Sequence, residues 1–215
     1  NQKVVWITHS SGFIPDSNKM IQSLITNWEK LGFFLISKIE TTKMATSKEA
    51  INWIEALGFG PVALLPNAVD LEKFKPISDN GTKNEIRILL GGRLIPGKGG
   101  LEALEALTQL CSKNELNFKV EIFGDGPELS RMKDIVKNFG STFTFHGGVA
   151  HDDYLKHLFA SDLFLFNSQI PESMPTSVLE ALASQVLVVS KPFAGIEEIS
   201  KAKGIVTLEQ NQIVA

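Results

Sequence analysis

Two glutamates stand on either side of a proline in the segment PESMPTSVLEALAS. Pro175 lacks an amide proton and has a fixed φ, so it suits the first turn of a helix and would break a helix interior. Glu172 therefore precedes the helix, whereas Glu180 falls in its second turn, off the apolar stripe. The helix start between them offers unpaired N–H groups that suit a phosphate. Taken alone, these residues are more often a pair of solvated acids.

A glycine-rich loop, GGRLIPGKGG, carries two cations just before a predicted helix. Arg93 and Lys98 stand beside free helix amides there, an arrangement that suits a diphosphate. A second interpretation of this loop is the P-loop of a nucleoside triphosphatase, because Gly92, Gly97 and Lys98 match the spacing G-x-x-x-x-G-K. Gly99 follows instead of the Ser or Thr that would hold Mg²⁺, so we favour a diphosphate site.

Small residues follow five predicted strands, in the segments GGRLIPGKGG, GDGP, HGGV, NSQIPES and SKPFAG. Ligands of open parallel α/β sheets bind beyond the carboxyl ends of the strands, and small residues let a ligand approach the backbone there. Ordinary turn preferences explain part of this pattern. The segment GDGPEL lacks the third glycine of a dinucleotide-binding fingerprint, since Leu129 stands in its place.

Three histidines, His146, His151 and His157, stand near Asp152 and Asp153. His151 and His157 are out of register on one helix, and zinc ligands usually have tighter spacing, so we predict no metal site.

A fourth histidine, His9, ends the predicted strand VVWITH and so lies at a strand exit. On sequence alone, a structural role for His9 competes with a catalytic one. The two serines that follow it lack the G-x-S-x-G pattern, which excludes a nucleophile elbow.

The composition excludes several classes of protein. The 215 residues are 43% hydrophobic, enough for a core in one or two domains, and carry a formal net charge of −3. This balance predicts no nucleic-acid partner. The single cysteine, Cys111, excludes a disulfide framework and a cysteine-based metal site, which suits a reducing, cytoplasmic setting. No apolar run approaches the roughly 18 residues of a membrane span.

Short β-rich runs alternate with amphipathic stretches from Ile86 onward, a pattern typical of βαβ units and a parallel sheet. Runs such as DLFLF are apolar enough for a sheet covered on both faces. Strands are predicted at 86–91, 119–123, 142–146, 162–166, 186–190 and 204–208. Helices are predicted at 99–113, 127–139, 152–160, 175–184 and 194–202.

The beginning of the chain alternates in the same way and predicts another α/β sheet. We expect strands at VVWITH, FFLIS and VALLP, with helices at 17–31 and 47–57 between them. A capping box of Thr46 and Glu49 is expected to start the second of these helices.

The segment PNAVDLEKFKPISDNGTKNE has almost no periodicity, which predicts a domain boundary. We therefore divide the chain into a first domain over residues 1–66, a linker over 67–85 and a second domain over 86–215.

The segments LLPNAVDLEKFKP, GGRLIPGKGG, IFGDGP, FHGGV and PESMPTSVLEALASQVLVVS resemble, in order and spacing, the GT-B glycosyltransferases of family 4, a retaining, nucleotide-sugar-dependent group. The resemblance runs from His9 to Glu198. It implies two Rossmann-like, doubly wound parallel-sheet domains. Residues 1–66 would form part of the acceptor-side domain, and 86–215 a donor-binding domain truncated at its C-terminus.

The resemblance also implies roles for individual residues. Arg93 and Lys98 would bind the donor diphosphate and Glu180 the ribose hydroxyls, while Glu172 and His9 would face the transferred sugar. Further donor contacts are implied for Gly92, Pro175, Thr176 and Ser177.

This sequence departs from the family pattern at two positions. Family members usually have Gly where Gln185 stands and Pro where Leu187 stands. The missing glycine predicts a side chain in a left-handed backbone conformation at the end of a helix, with a penalty of roughly 1 kcal/mol.

The implied reaction moves a sugar from a nucleotide-diphosphate-sugar to a hydroxyl of a sugar, glycan or lipid-linked acceptor, with retention of anomeric configuration. We expect no cofactor and no obligatory metal, since no D-x-D motif occurs. Two alternatives stay open: a nucleotide-sugar epimerase of the same fold and a non-catalytic nucleotide-sugar binding module. Whether this stretch of chain is active by itself also stays open. We expect a cytoplasmic protein, and peripheral membrane contact through a region preceding this sequence stays open.

Overall fold

The computed structural model describes residues 4–9, 12, 18–38, 41–74, 85–113, 116–199 and 204–207. The chain divides into two compact units. The first unit comprises Asn1–Ala68, Ile170–Pro175 and Phe193–Lys201, and the second comprises Val69–Gln169, Thr176–Pro192 and Ala202–Ala215. This division differs from the predicted domains, because two short later segments join the first unit. The predicted domain limits themselves stay a prediction.

A three-stranded parallel sheet forms the centre of the first unit. Its strands are β1 (Val4–Thr8), β2 (Thr41–Ala45) and β3 (Ala63–Leu64), in that spatial order. Its first two helices are α1 (Lys19–Ser37) and α2 (Lys48–Ala56). Ala45, Ala50, Ile54 and Val62 form the buried core between α2 and the sheet.

The predicted strand FFLIS is wrong, because α1 continues through Gly32 to Ser37. A short apolar run does not by itself distinguish a strand from a helix. The Phe33 ring lies 5.5 Å, between ring centroids, from each of Trp6, Trp53 and Phe59. The strand that follows α1 is instead the more polar run TTKMA. It forms a strand because it pairs with β1 on one side and β3 on the other.

The predicted capping box of Thr46 and Glu49 is wrong, because the helix starts one residue later and Ala50 stands where a box needs Glu or Gln. Ser47, rather than Thr46, caps α2, and its hydroxyl accepts a hydrogen bond from the Ala50 N–H at 3.1 Å. The Thr46 hydroxyl is instead 2.7 Å from the hydroxyl of Ser173, which belongs to the same unit. The cap is the residue with extended backbone directly before the first helical turn, and Ser47 holds that position.

A six-stranded parallel sheet forms the second unit. Its strands are β4 (Ile86–Gly91), β5 (Phe118–Phe123), β6 (Phe143–Gly147), β7 (Leu163–Phe166), β8 (Leu187–Ser190) and β9 (Ile205–Thr207). The spatial order is β6-β5-β4-β7-β8-β9, so the order of the strands reverses between β4 and β7. This is the order of a doubly wound, Rossmann-like sheet. The predicted α/β class and the parallel sheets are confirmed.

The helices of the second unit lie within a few residues of their predicted bounds. They are α3 (Gly100–Lys113), α4 (Leu129–Val136), α5 (His151–Ala160) and α6 (Thr176–Ala183), with short 3₁₀ turns at Leu71–Lys73 and Gly140–Thr142. The last helix, α7 (Ile196–Ile199), belongs to the first unit.

The core of the second unit is formed by apolar side chains of α3, α4 and the sheet. Leu104 of α3 and Met132 of α4 are fully buried, together with Val120 and Ile122 of β5. In β4 both Leu89 and Leu90 are buried although they point to opposite faces, so this strand is covered on both sides. Among the described residues, no helix combines the length and the apolar character needed to cross a bilayer.

Candidate functional site

The loops after β4 and β7 meet where the strand order reverses, which is the usual place for a ligand in such a sheet. The Asn167 side-chain amide donates to the Gly99 carbonyl at 3.0 Å, and the Gln169 N–H donates to the Gly97 carbonyl at 2.7 Å. A Cβ on Gly99 would lie 2.0 Å from the Asn167 carbonyl oxygen. Only glycine therefore allows the two loops to approach this closely.

The loops after β5 and β6 join the same edge of the sheet through backbone hydrogen bonds. The Leu94 N–H donates to the Asp125 carbonyl at 2.9 Å, and the Gly124 N–H donates to the Gly147 carbonyl at 2.8 Å. Gly124 has a φ of +118°, and a Cβ there would lie 1.8 Å from the Gly92 carbonyl oxygen. The strand exits are thus fixed against one another before any ligand binds.

A cavity of about 400 Å³ lies at this edge of the second unit. Arg93 lines it and is exposed, so its guanidinium is available to a ligand in the cavity. Gly92 and Ser177, two other predicted donor contacts, also line the cavity. Its remaining lining residues are Gly91, Phe123, Gly124, Asp125, Gly147, Gly148, Val149, His151 and Tyr154.

Four other predicted donor contacts, Lys98, Pro175, Thr176 and Glu180, do not line this cavity. Lys98 is half-buried in the turn before α3, where its N–H donates to the Ile95 carbonyl at 3.1 Å. Thr176 is the exposed first residue of α6. Pro175 precedes it, is buried and belongs to the first unit. The structure therefore brings Arg93 to the cavity and leaves Lys98 in the adjoining loop.

Glu180 is buried beside the cavity, with only 9% of its surface exposed. Its Oε1 lies 2.9 Å from Nε2 of His151, a cavity-lining residue at the start of α5. Such a charge-assisted contact orients the carboxylate, because the imidazole can donate to it. The interpretation of Glu180 as a solvated helix acid is therefore wrong.

The Tyr154 side chain is a further polar group of the cavity. Its hydroxyl is buried, and among the described residues it has no hydrogen-bond partner. Burial, followed by the nearby Glu180 carboxylate, raises the pKa of the Tyr154 phenol well above its ordinary range. The group therefore remains a neutral hydroxyl whose capacity to donate and accept hydrogen bonds is unused within the described residues.

Glu172 and His9 both belong to the first unit. Glu172 is half-buried, and its carbonyl accepts a hydrogen bond from the Ala194 N–H at 3.0 Å. His9 directly follows β1 and is exposed. Their predicted roles toward the transferred sugar stay predictions.

Sequence reasoning missed His151 and Tyr154 as residues of the site. The sequence suggests His151 only as a metal ligand, and its contact with Glu180 joins residues 29 positions apart. The sequence did contain one indication. His151 lies four residues after the end of the strand FTFHG, in a segment that follows a strand and was already expected to contact a ligand.

Together these groups can bind a particular kind of ligand. Arg93 offers positive charge, the Glu180 carboxylate can accept hydrogen bonds from hydroxyl groups, and Tyr154 offers a neutral hydroxyl. A molecule with both an anionic group and neighbouring hydroxyls matches this arrangement.

Comparison with known proteins gives this arrangement a family context. The family described as glycosyl transferases group 1 matches residues 72–212. The chain is 25% identical over 202 residues to the phosphatidylinositol N-acetylglucosaminyltransferase GPI3 subunit of Saccharomyces cerevisiae, covering 89% of this chain and 44% of that protein. It is 30% identical over 158 residues to a phosphatidylinositol N-acetylglucosaminyltransferase subunit of Arabidopsis thaliana, covering 72% of this chain and 34% of that protein. The chain thus spans less than half the length of either relative.

Solved structures show the same fold. Anabaena HepE, crystallised in complex with UDP-glucose, superposes with a TM-score of 0.74 at 18% identity, covering 98% of this chain and 60% of HepE. At this identity the likeness concerns the fold alone. It confirms the predicted GT-B type of α/β fold.

Proposed function

Since the chain belongs to the glycosyl transferases of group 1, we propose that it binds a nucleotide-sugar donor and takes part in transfer of the sugar to an acceptor hydroxyl. We propose further that it is of the family 4 kind and that the anomeric configuration is retained. Because the chain spans less than half of its relatives, the activity of the whole protein is part of this proposal.

One observation carries the proposal: a cation lines a cavity of the second unit, and an oriented carboxylate contacts a histidine that lines the same cavity. Arg93 lines the cavity, and Glu180 is held by His151, which lines it as well. A nucleoside diphosphate has its charge on the phosphates and two vicinal hydroxyls on the ribose. Arg93 suits the former, and the Glu180 carboxylate suits the latter.

Electrostatic stabilisation of the leaving diphosphate is the proposed catalytic device. Negative charge develops on the diphosphate as the bond to the sugar breaks, and fixed donors aimed at that charge lower the barrier. Arg93 supplies one such donor, and the adjoining loop carries Lys98 as a second. The hydrogen bonds between the strand exits keep this loop in place, so little reorganisation is needed.

The names of the relatives and of the structural neighbour suggest which donor to test first. HepE was crystallised with UDP-glucose, and both curated relatives are named N-acetylglucosaminyltransferases of phosphatidylinositol. We propose a UDP-sugar donor, with UDP-N-acetylglucosamine first, and a lipid-linked acceptor. Glu172 and His9 are proposed to act on the transferred sugar. Neither a cofactor nor an obligatory metal is proposed for the transfer.

A thermal-stability screen of the full chain tests donor binding. UDP, GDP, uridine, UDP-glucose and UDP-N-acetylglucosamine are added in turn, and the melting temperature is measured. A ligand at about a hundredfold excess over its Kd adds roughly 2.7 kcal/mol to the free energy of unfolding. We expect UDP and its sugars to raise the melting temperature and uridine to raise it far less. No response to any diphosphate would contradict the proposal.

Retention is tested separately with phosphatidylinositol in detergent micelles as acceptor. NMR of the product from an α-linked UDP-sugar is expected to show an α-linkage, and a β-linked product would contradict retention.

A further inference from the structure

We propose that the second unit holds a zinc ion between Glu121, His146 and His157. One oxygen or nitrogen ligand atom from each of these side chains lies within 4.8 Å of the other two. Two imidazoles and a carboxylate are a known ligand set for Zn²⁺, in which a fourth position stays open. This site is distinct from the donor cavity, which none of the three residues lines.

The distances from one carboxylate oxygen to the two histidine nitrogens are close to those of a tetrahedral ion. Glu121 Oε1 lies 3.2 Å from His157 Nδ1 and 3.5 Å from His146 Nε2. Zn²⁺ bonds of about 2.0–2.1 Å place neighbouring ligand atoms about 3.3 Å apart in a tetrahedron. Small side-chain rotations therefore suffice to admit the ion.

The three ligands come from three elements of the fold. Glu121 lies on β5, His146 on β6 and His157 on α5. The pairing of β5 with β6 shifts after Ile122 and Phe145, because Phe123 then pairs with Gly147 and His146 is the extra residue. A bulge of this kind changes the direction of a side chain, and bulges are frequent beside functional sites.

The His146 imidazole has an unused nitrogen at this position. Nε2 is buried, and among the described residues no hydrogen bond reaches it. Its ring is stacked on Phe123, with centroids 4.3 Å apart and planes 3° from parallel, so the ring orientation is held. A buried ring nitrogen without a hydrogen bond is costly, and in the tautomer that leaves its lone pair free a metal ion would satisfy it.

Charges around the cluster do not prevent cation binding. Lys119 and Lys156 line a neighbouring cleft of about 420 Å³ with Arg87, but Lys119 is paired with Glu85 at 3.2 Å and Lys156 with Asp153 at 2.7 Å. Glu121 and His157 line the same cleft. The fourth coordination position can therefore be filled by water or a small anion from this side.

The sequence groups His146 with His151 and His157, and the spacing of those three histidines argues against a metal. The structure separates His151, which contacts Glu180, and brings in Glu121 from the neighbouring strand. The argument from histidine spacing therefore concerns a set of ligands that includes His151, and it does not apply to the proposed set of Glu121, His146 and His157.

Calorimetric titration of the untagged, chelator-treated full chain with ZnCl₂ tests the proposal. We expect one site of micromolar or tighter affinity in the wild type. His157→Ala and Glu121→Gln are each expected to weaken it on the order of a hundredfold. His151→Ala, a histidine of the same helix outside the cluster, is the matched control and is expected to bind Zn²⁺ as the wild type does.

NMR of the wild-type histidine side chains gives a second readout that needs no variant. Zn²⁺ is expected to shift the ring nitrogen signals of His146 and His157 and to leave those of His151 and His9 unchanged. Zn²⁺ binding weaker than millimolar, binding that survives both substitutions, or shifts confined to other histidines would overturn the proposal.

Discussion

The two units differ in what their longest helices bury. In the second unit, α3 buries Leu101, Leu104 and Leu107 against the sheet. In the first unit, α1 has no buried residue, and Leu24 and Trp28 are 63% and 76% exposed. Apolar periodicity therefore predicts the buried face of α3 correctly but not a buried face on α1. Stability and ligand binding are expected to depend mainly on the second unit.

Truncation of one leucine in each unit gives the largest contrast. Leu104→Ala removes a fully buried side chain and leaves a cavity, which we expect to lower the free energy of unfolding by about 2–5 kcal/mol. Leu24→Ala changes an exposed side chain and is expected to change it by less than about 0.5 kcal/mol. Urea denaturation followed by circular dichroism measures both. Equal losses would show that burial in this structure does not govern stability.

The two glutamates give the next contrast, because Glu180 belongs to the second unit and Glu172 to the first. Glu180→Gln is expected to weaken UDP and the UDP-sugar alike, by about 1–3 kcal/mol, because both ligands carry the ribose. Glu172→Gln is expected to spare UDP and weaken only the UDP-sugar. Isothermal titration of each variant with both ligands is the measurement. Identical patterns for the two variants would mean that they do not have separate roles.

Tyr154→Phe is expected to separate stability from binding. Removal of a buried hydroxyl without a partner is expected to stabilise the fold by about 1 kcal/mol at neutral pH, and to weaken UDP if that hydroxyl contacts the ligand. Unfolding midpoints and UDP isotherms for the variant and the wild type provide the comparison.

The pH dependence of the same variant follows from the raised pKa of Tyr154. Below the unfolded-state tyrosine pKa of about 10, the phenol is neutral in both states and its contribution to stability is fully present. As the pH rises from there toward the higher folded-state pKa, the phenol ionises in the unfolded state only, and this contribution to stability is lost. The variant is therefore expected to lose less stability than the wild type above pH 10. A steeper alkaline loss in the variant would contradict the buried, neutral phenol.

Gln185→Gly is expected to give the smallest change in the free energy of unfolding. Gln185 has a φ of +60° at the end of α6, as the missing family glycine predicted. Glycine adopts this conformation without steric strain, so we expect a gain of about 0.5–1 kcal/mol in the free energy of unfolding. Gln185→Ala is the control, since it keeps the Cβ and is expected to give no gain. A gain for both variants would mean that the backbone conformation is not the cause.

Local patterns predicted the second unit well because short β-rich runs alternate regularly with amphipathic stretches there. The alternation from Ile86 onward placed each strand within a residue or two, and the small residues at the strand exits located the edge that holds the cavity. In the first unit the same reasoning failed at FFLIS and TTKMA. Helix and strand compete closely for a short apolar run, and sheet pairing decides between them.

Contacts between distant residues could not be predicted from local patterns. The hydrogen bond from His151 to Glu180 depends on how α5 and α6 pack, and the meeting of His146 with Glu121 depends on a bulge in the pairing of two strands. Neither arrangement leaves a regular spacing in the sequence. Arg93 was predictable because its loop, its strand exit and its charge all pointed to the same ligand.

Titration of UDP and uridine into the wild type and Arg93→Ala tests most directly whether the second unit binds the donor diphosphate. Hydrogen bonds to a charged group are worth about 1.5–3 kcal/mol, so we expect the variant to lose that much affinity for UDP and almost none for uridine. Equal losses for the two ligands, or no loss of UDP affinity, would contradict the account.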